Sequence, residues 1–341
     1  MKRCLLLLIA VASFATAETD RIQLQFNTDE ADAVLAILAK PHPTDADWQR
    51  LFTSEPYMRL KKREAGFHND FSDDDFRKFV LSPELAKQAP ALRRTLDAWK
   101  NADYRAAAER ALAYLPAEAR IHAKIFPVIK PLKNSFEYEG TSDPTIFLYL
   151  NPEESAAKFE NTVAHELHHI GFASIASLTE AKTKSLPPNV KAAVDWMGAF
   201  GEGFAMLAAA GGPDIDPHAA STAEEHALWA HDMANFNPDL KKLEKFFTDI
   251  VDGKFQSKDA MDAAGEEFFG RQGPWYTVGY KMAVMVEKRY GRATLIDCMI
   301  DPRELLVKYN AAATEINSSS KEQLALWSPE LLKQVADPSG K

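Results

Sequence analysis

Two histidines four residues apart stand in the run His165-Glu166-Leu167-His168-His169. Residues four apart in a helix lie on one face, one turn above each other, so that His165 and His169 could bind a single ion. Glu166 follows the first histidine and could hold a water molecule beside that ion. Neutral imidazole is a common ligand of Zn²⁺, which lowers the pKa of bound water towards neutrality. The run predicts one zinc ion, with Glu166 as the general base of a hydrolytic reaction.

The residues around this run favour a helix with one apolar side. Val163, Leu167 and Ile170 are spaced to pack into a core while the two ligand histidines face a cleft. The chain has only nine histidines, which makes a chance match to this pattern uncommon. His168 lies off the face of the ligands, and we expect it to be a bystander or to support a ligand from outside.

A catalytic zinc site needs a third protein ligand. Glu202 is a single acidic residue between two glycines in an otherwise apolar segment, Gly201 to Ala208. Buried carboxylates are rarely unpaired. We therefore predict that Glu202 is this third metal ligand. An ion pair between Glu202 and a lysine or arginine is the alternative. The glycines would allow another helix to approach closely. Three other residues are weaker candidates for the third ligand: Asp195, His226 and His231.

With these two motifs the chain resembles the gluzincin class of zinc metallopeptidases. It is most similar to uncharacterised zinc-dependent peptidases among secreted bacterial proteins, over about residues 145–292. The resemblance implies a peptide or protein substrate, Glu166 as the base, and three zinc ligands: His165, His169 and Glu202. The segment before Glu202 is longer than in thermolysin-like enzymes and is expected to form a loop or lid. The Gly-x-Met-Glu-Asn pattern of related aminopeptidases is absent, so exopeptidase activity has no support.

A donor for the oxyanion is expected after Gly273-Pro274, where Tyr276 and Tyr280 share one face of a helix. Either hydroxyl could polarise the scissile carbonyl, and similar Tyr-x-x-Gly segments follow the active helices of the resembled peptidases. Packing in the core is the alternative for both tyrosines. Arg271 and Lys281 are weaker candidates for this role or for binding a substrate carboxylate.

The periodicity of the chain predicts a mainly α fold of the α+β class. A helical N-terminal region, 18–118, precedes a zincin-like region, 119–341, with a small β-sheet. The predicted strands are 121–129 and 145–150; Pro127 should confine the first to an edge or a bulge. The second is either an ordinary buried strand or an edge along the cleft that pairs with substrate. The predicted helices are 29–39, 73–81, 91–113, 153–171, 189–210, 221–236, 238–251, 259–269 and 275–290.

The N-terminus has the pattern of an export signal, with Lys2 and Arg3 before an apolar run and Ala15-Thr16-Ala17 after it. It predicts cleavage after Ala17 and a periplasmic or secreted protein without a membrane span in the mature chain. The remaining cysteine, Cys298, cannot form an internal disulfide. The 49 acidic residues outnumber the 40 basic ones, which makes nucleic acid an unfavourable partner.

Two other functions fit parts of the pattern. A carboxylate-bridged di-iron protein also uses Glu-x-x-His, as in Glu166 to His169, but needs a second copy that the chain lacks. A non-catalytic helical protein that binds metal or peptide would have a closed fourth coordination position. Glu166 argues against this second alternative, because a structural metal site has no need of that carboxylate.

Overall fold

The computed structural model describes residues 21–138, 142–321 and 323–336. The predicted export signal, with its cleavage after Ala17, lies outside these residues. The fold consists mainly of helices around one four-stranded sheet, which confirms the predicted α+β class. Across the described residues, every helix is too short or too polar to cross a membrane.

The N-terminal part begins with a strand that the sequence analysis did not predict, β1 (Ile22–Phe26). The helix predicted at 91–113 is two helices, and Pro90 lies inside the first of them rather than before it. Side chains of Thr44 and Ser72 form capping boxes that fix the starts of two short helices. The helices of this part are α1 (Asp29–Leu38), α2 (Asp45–Phe52), α3 (Glu55–Gly66), α4 (Asp73–Val80), α5 (Pro83–Trp99) and α6 (Tyr104–Leu112).

The second part holds the other three strands and the remaining helices. The strands are β2 (Ile121–Val128), β3 (Phe136–Tyr138) and β4 (Thr145–Tyr149). The helices are α7 (Ala156–Ala173), α8 (Ala176–Thr183), α9 (Pro188–Met197), α10 (Gly201–Ala210), α11 (Ala223–Ala234), α12 (Phe236–Val251), α13 (Lys258–Glu266), α14 (Pro274–Tyr290), α15 (Arg292–Ile300), α16 (Pro302–Ser319) and α17 (Pro329–Ala336).

The strand β2 lies inside the sheet and pairs with β4 in an unbroken register, so the prediction that Pro127 confines it to an edge or a bulge is wrong. The strand order is β1-β2-β4-β3, with β3 antiparallel to β4 and the other pairs parallel. Ile125 accepts a hydrogen bond from Asn27, just beyond β1, whereas Val128 accepts one from Leu150 on the side of β4. Backbone groups of successive residues point to alternate sides of the strand, so the nitrogen of Pro127 faces the side of β1. The strand β1 ends before this position, and the missing N–H of Pro127 therefore costs no hydrogen bond of the sheet.

The strand β4 is also interior, so of the two alternatives it is the ordinary buried strand and not the edge along the cleft. It lies between β2 and β3, and its residues Thr145 to Leu148 are fully buried. Phe136 of β3 pairs with Phe147, and Tyr138 pairs with Thr145. The edge on this side of the sheet is therefore β3, the only antiparallel strand of the described sheet.

One hydrophobic core extends through both parts of the chain. Leu96 of α5, Ile125 of β2, Leu167 of α7 and Val278 of α14 are fully buried members of one cluster. The pairing of β1 with β2 also joins the two parts. The boundary near residue 118 is a change of secondary structure within this shared core.

The segment between the two metal-site motifs is helical, where a loop or lid was expected. It forms α8 and α9, and the predicted helix 189–210 is interrupted by a 3-10 turn, Gly198–Phe200. The helix α8 packs against α15, and α9 packs against α12 and α16. The extra length is thus used to build the core and to lead the chain into α10.

Candidate metal centre

The helix α7 carries both histidines of the first motif. Its start is fixed by Ser155, whose hydroxyl accepts a hydrogen bond from the backbone N–H of Lys158. The helix packs against α6, α10 and β2, with Leu167 and Ile170 in the core. The Nε2 atoms of His165 and His169 converge to 3.0 Å. The helical spacing therefore brings the two imidazoles to one point, as the sequence predicted.

Glu202, in the first turn of α10, completes a cluster of three donor atoms. Its Oε2 lies 3.1 Å from Nε2 of His165 and 3.2 Å from Nε2 of His169. The partners of Glu202 are thus the two histidines, and not the lysine or arginine of the alternative prediction. Within residues 21–138, 142–321 and 323–336, this is the only group of three or more His, Cys, Asp or Glu side chains placed to hold one ion.

The close crossing of α10 and α14 fixes the position of Glu202. A Cβ atom added to Gly203 would lie 2.0 Å from the backbone nitrogen of Tyr280, and one added to Gly279 would lie 2.9 Å from the carbonyl oxygen of Phe200. Only glycine allows two backbones to approach so closely. The close approach expected from the glycines beside Glu202 is present, and it involves a glycine on each helix.

The spacing of the three atoms fits a zinc ion. Zinc bonds of 2.0–2.1 Å in a tetrahedron place neighbouring ligand atoms about 3.3 Å apart. The distances among the two nitrogens and the oxygen are 3.0 to 3.2 Å. Two neutral imidazoles and one carboxylate also match a catalytic zinc site, in which the fourth position remains open for water or substrate.

The electrostatics of the cluster favour a bound cation. Burial raises the pKa of Glu202, but His169 and His165 outweigh this and hold the pKa well below its usual range. For His169, burial lowers the pKa, whereas the Glu202 carboxylate raises it more, to about 9. The carboxylate is thus ionised and attracts positive charge to the point where the histidine nitrogens meet, a place that a metal cation can occupy.

Glu166 lies beside this cluster in the wall of a cleft of about 530 Å³. Burial raises the pKa of its carboxyl group; His165 and His169 oppose the shift, and Glu202 and Glu137 add to it. A carboxylate with a raised pKa is a better proton acceptor near neutral pH. Glu137 belongs to β3, so this edge strand lies within electrostatic range of the cluster.

Of the two tyrosines on α14, only Tyr276 reaches the cluster. Its ring stacks on that of His165, with the centroids 6.3 Å apart and the planes at 12°. Burial raises its pKa, and the Glu202 carboxylate adds to the effect through charge and a hydrogen bond. The hydroxyl of Tyr280 instead donates to the carbonyl oxygen of Ile215 at 3.3 Å.

The weaker candidates from the sequence lie outside the cluster. The Asp195 carboxylate accepts from Lys191 at 2.9 Å, and His226 pairs with Asp216 at 2.9 Å. His231 contacts Asn235, the residue that caps the end of its helix. Arg271 lines the cleft, and Lys281 lies over the ring of Phe236. His168 is buried next to His169, and burial lowers the pKa of His168 and keeps it neutral.

Sequence reasoning missed His218, a nearly buried histidine in the wall of the cleft. Its Nδ1 lies 2.9 Å from the hydroxyl of Ser221, and its Nε2 lies 3.1 Å from the side-chain nitrogen of Gln272. Its ring packs on Trp229. The sequence gives no local signal for this position, because a lone histidine after Asp216-Pro217 has the composition of an ordinary loop.

A family model described as "Putative zinc dependent peptidase (DUF5700)" matches residues 48–318. The matched span runs from α2 into α16 and includes Glu166, Tyr276 and all three residues of the cluster. No curated protein and no solved structure matches the chain.

Proposed function

Because the chain belongs to the family described as "Putative zinc dependent peptidase", we propose that it hydrolyses peptide bonds with one zinc ion held by His165, His169 and Glu202. The observation that carries the proposal is the convergence of three donor atoms within 3.0 to 3.2 Å. A zinc ion there supplies Lewis acidity, which lowers the pKa of water and polarises a carbonyl oxygen.

Glu166 is the proposed general base. Its carboxylate takes a proton from the attacking water and can pass that proton to the leaving amine. Two features support this role: Glu166 lines the cleft together with His165, and burial raises its pKa. A site that held metal only for structure would have no need of a second carboxylate at this place.

Tyr276 is the proposed donor to the carbonyl oxygen of the substrate. Its hydroxyl is protonated near neutral pH, and burial raises its pKa further, so that it can donate a hydrogen bond as negative charge develops on that oxygen. The stacking on His165 places the tyrosine next to the ligands. Tyr280 lies one turn later on the same helix but donates to the backbone at Ile215, which makes it the natural control.

An extended peptide is the proposed form of the substrate. The strand β3 forms the edge of the sheet, and Ser135, just before it, lines the cleft. Main-chain groups of an edge strand can pair with those of an added strand. The electrostatic effect of Glu137 on Glu166 and His169 supports β3 as the strand along which the peptide lies.

Metal content per chain is the direct test of this proposal. Elemental analysis of the parent protein, prepared without chelator, should give about one zinc per chain. Glu202→Ala should lose most of the metal, whereas Asp195→Ala, which removes a carboxylate outside the cluster, should keep it. A parent protein without zinc, or a Glu202→Ala variant with full zinc content, would refute the ligand set.

A further inference from the structure

A second cavity lies apart from the metal centre, where α3 ends and α4 begins. Its volume is about 180 Å³, and it shares no lining residue with the cleft. The segment after β2, from Lys130 to Leu132, forms its outer wall. Most of the lining is apolar and comes from Leu60, Phe71, Phe76, Pro131 and Leu132, with four polar residues among them, Glu64, Asn69, Asp75 and Lys130.

The carboxyl group of Glu64 is buried and only half satisfied. The residue is 3 % exposed, and one oxygen accepts a hydrogen bond from Arg63 at 2.9 Å. The other oxygen, Oε2, is buried and accepts no hydrogen bond from any residue in the described part of the chain. A buried acceptor without a donor is unfavourable, so a ligand that supplies a donor here gains a strong interaction.

The helix end favours a cationic donor. Glu64 lies in the last turn of α3, and its carbonyl oxygen accepts from the N–H groups of Phe67 and Asn69. The C-terminal end of a helix carries partial negative charge, which adds to the charge of the carboxylate. Asp75, in the first turn of α4, is a further carboxylate on the cavity wall.

One basic residue, Lys130, faces the same cavity. It is 4 % exposed and donates to the carbonyl oxygen of Leu132 at 2.6 Å and to the side chain of Asn134 at 2.5 Å. An ammonium group has three donors, and these two contacts use two of them. The cavity wall thus combines a carboxylate, an ammonium group and apolar side chains, as a site for an amino acid requires.

We propose that this cavity binds a ligand with an ammonium group next to an apolar side chain. The ammonium group binds the carboxyl group of Glu64 at the cavity wall, and the apolar group packs among Leu60, Phe71 and Phe76. A free amino acid and the N-terminal residue of a peptide share this chemistry. A free amino acid would also place its carboxylate near Lys130.

Isothermal titration with leucinamide tests this site. N-acetylleucinamide, which lacks the ammonium group, is the matched ligand control. Glu64→Gln should weaken leucinamide binding about tenfold or more, because it removes the charge from the acceptor. Leu132→Trp should block the cavity from its outer wall without changing any charge. Leu81→Trp is the control for that variant, since Leu81 is equally exposed and does not line the cavity.

Each outcome decides the proposal. Binding of leucinamide that is lost in both cavity variants, and kept in Leu81→Trp and in the metal-site variant His169→Ala, supports it. Leucine that binds tighter than leucinamide identifies a free amino acid as the ligand, and equal or weaker binding of leucine identifies a peptide N-terminus. No binding of leucinamide, equal binding of N-acetylleucinamide, or loss in His169→Ala overturns the proposal. A circular dichroism spectrum like that of the parent separates loss of binding from loss of folding.

Discussion

Gly203 of α10 and Gly279 of α14 lie in backbone contact, with 2.7 Å between the Cα atom of Gly279 and the position of a Cβ atom added to Gly203. This contact holds two side chains of the site in place. Glu202 precedes the first glycine, and Tyr276 lies one turn before the second. The geometry of the metal centre therefore depends on two residues that have no functional group.

We expect Gly203→Ala to push α14 away from α10. Overpacking of this kind costs roughly 1–3 kcal/mol of unfolding free energy, and here it should also lower the zinc content. Gly201→Ala is the matched control, since an added Cβ there meets nothing within 4 Å and alanine favours a helix. Denaturant unfolding and metal analysis of both variants check this; equal zinc content in the two would contradict it.

Glu166→Gln should keep the zinc and lose about two to four powers of ten in turnover, because it removes the base and leaves the ligands intact. His169→Ala should lose the metal itself. The measurement is zinc content and peptidase activity of the two variants, side by side with His226→Ala, which changes a histidine outside the cluster. Full activity in Glu166→Gln would rule out the assigned base.

Tyr276→Phe should lower kcat by about two powers of ten or more and leave zinc content unchanged, because it removes a donor to the oxyanion. Tyr280→Phe should leave kcat near the parent value and cost about 1 kcal/mol of stability, since it removes only the hydrogen bond to Ile215. Steady-state kinetics of both variants measure this. Equal losses of kcat would argue against a special role of Tyr276.

The stability of the protein should fall between mildly acidic and mildly basic pH because of Glu30. This residue is fully buried, and burial raises its pKa to about 8, although the backbone N–H of Ile129 donates to it at 3.0 Å. Glu30 binds its proton more tightly in the folded state than in the unfolded state. The resulting stabilisation is therefore complete below the pKa of Glu30 in the unfolded state and is lost as pH rises through 8, its pKa in the folded state. The loss should be on the order of a few kcal/mol.

Glu30→Gln cannot titrate and should lack this part of the pH dependence. The test is denaturant unfolding of the parent and the variant at several pH values from 5 to 9. Glu84→Gln, at an exposed glutamate, should follow the parent. Identical pH dependence in the parent and Glu30→Gln would show that Glu30 is not the titrating group.

Export should remove the first 17 residues, as the pattern Ala15-Thr16-Ala17 predicts. Intact mass of the exported protein measures this directly, and a mass that still includes Lys2 would contradict it. Replacement of Ala17 with a bulky residue such as tryptophan should slow the processing, because signal cleavage requires small residues at that position.

The parts of the site that were visible in the sequence are those set by local geometry. Helical spacing alone brings His165 and His169 together, and a carboxylate between glycines in an apolar segment was reason enough to select Glu202. The choice between Tyr276 and Tyr280 was not visible, because they share a helix face. One turn of helix separates them, and the crossing with α10 decides which one reaches the ligands.

Three features of the sheet were not predicted correctly from the sequence. The alternation Ile22-Gln-Leu-Gln-Phe26 is a strand pattern that the sequence analysis did not use. The position of Pro127 inside the sheet depends on where the neighbouring strand ends, which no local pattern records. The strand β3 was not predicted, because its three residues are too few for a periodic signal.

The pairing of β1 with β2 bears on whether the N-terminal part could be cut away as a pro-segment. Proteolytic removal of a pro-segment is one way in which proteins are switched on. Here the removal of residues 22–118 would take the parallel partner of β2 from the sheet and expose core side chains such as Ile125 and Leu167. The N-terminal part thus packs into the same core as the metal-site helices, and we expect its removal to unfold the site rather than to open it.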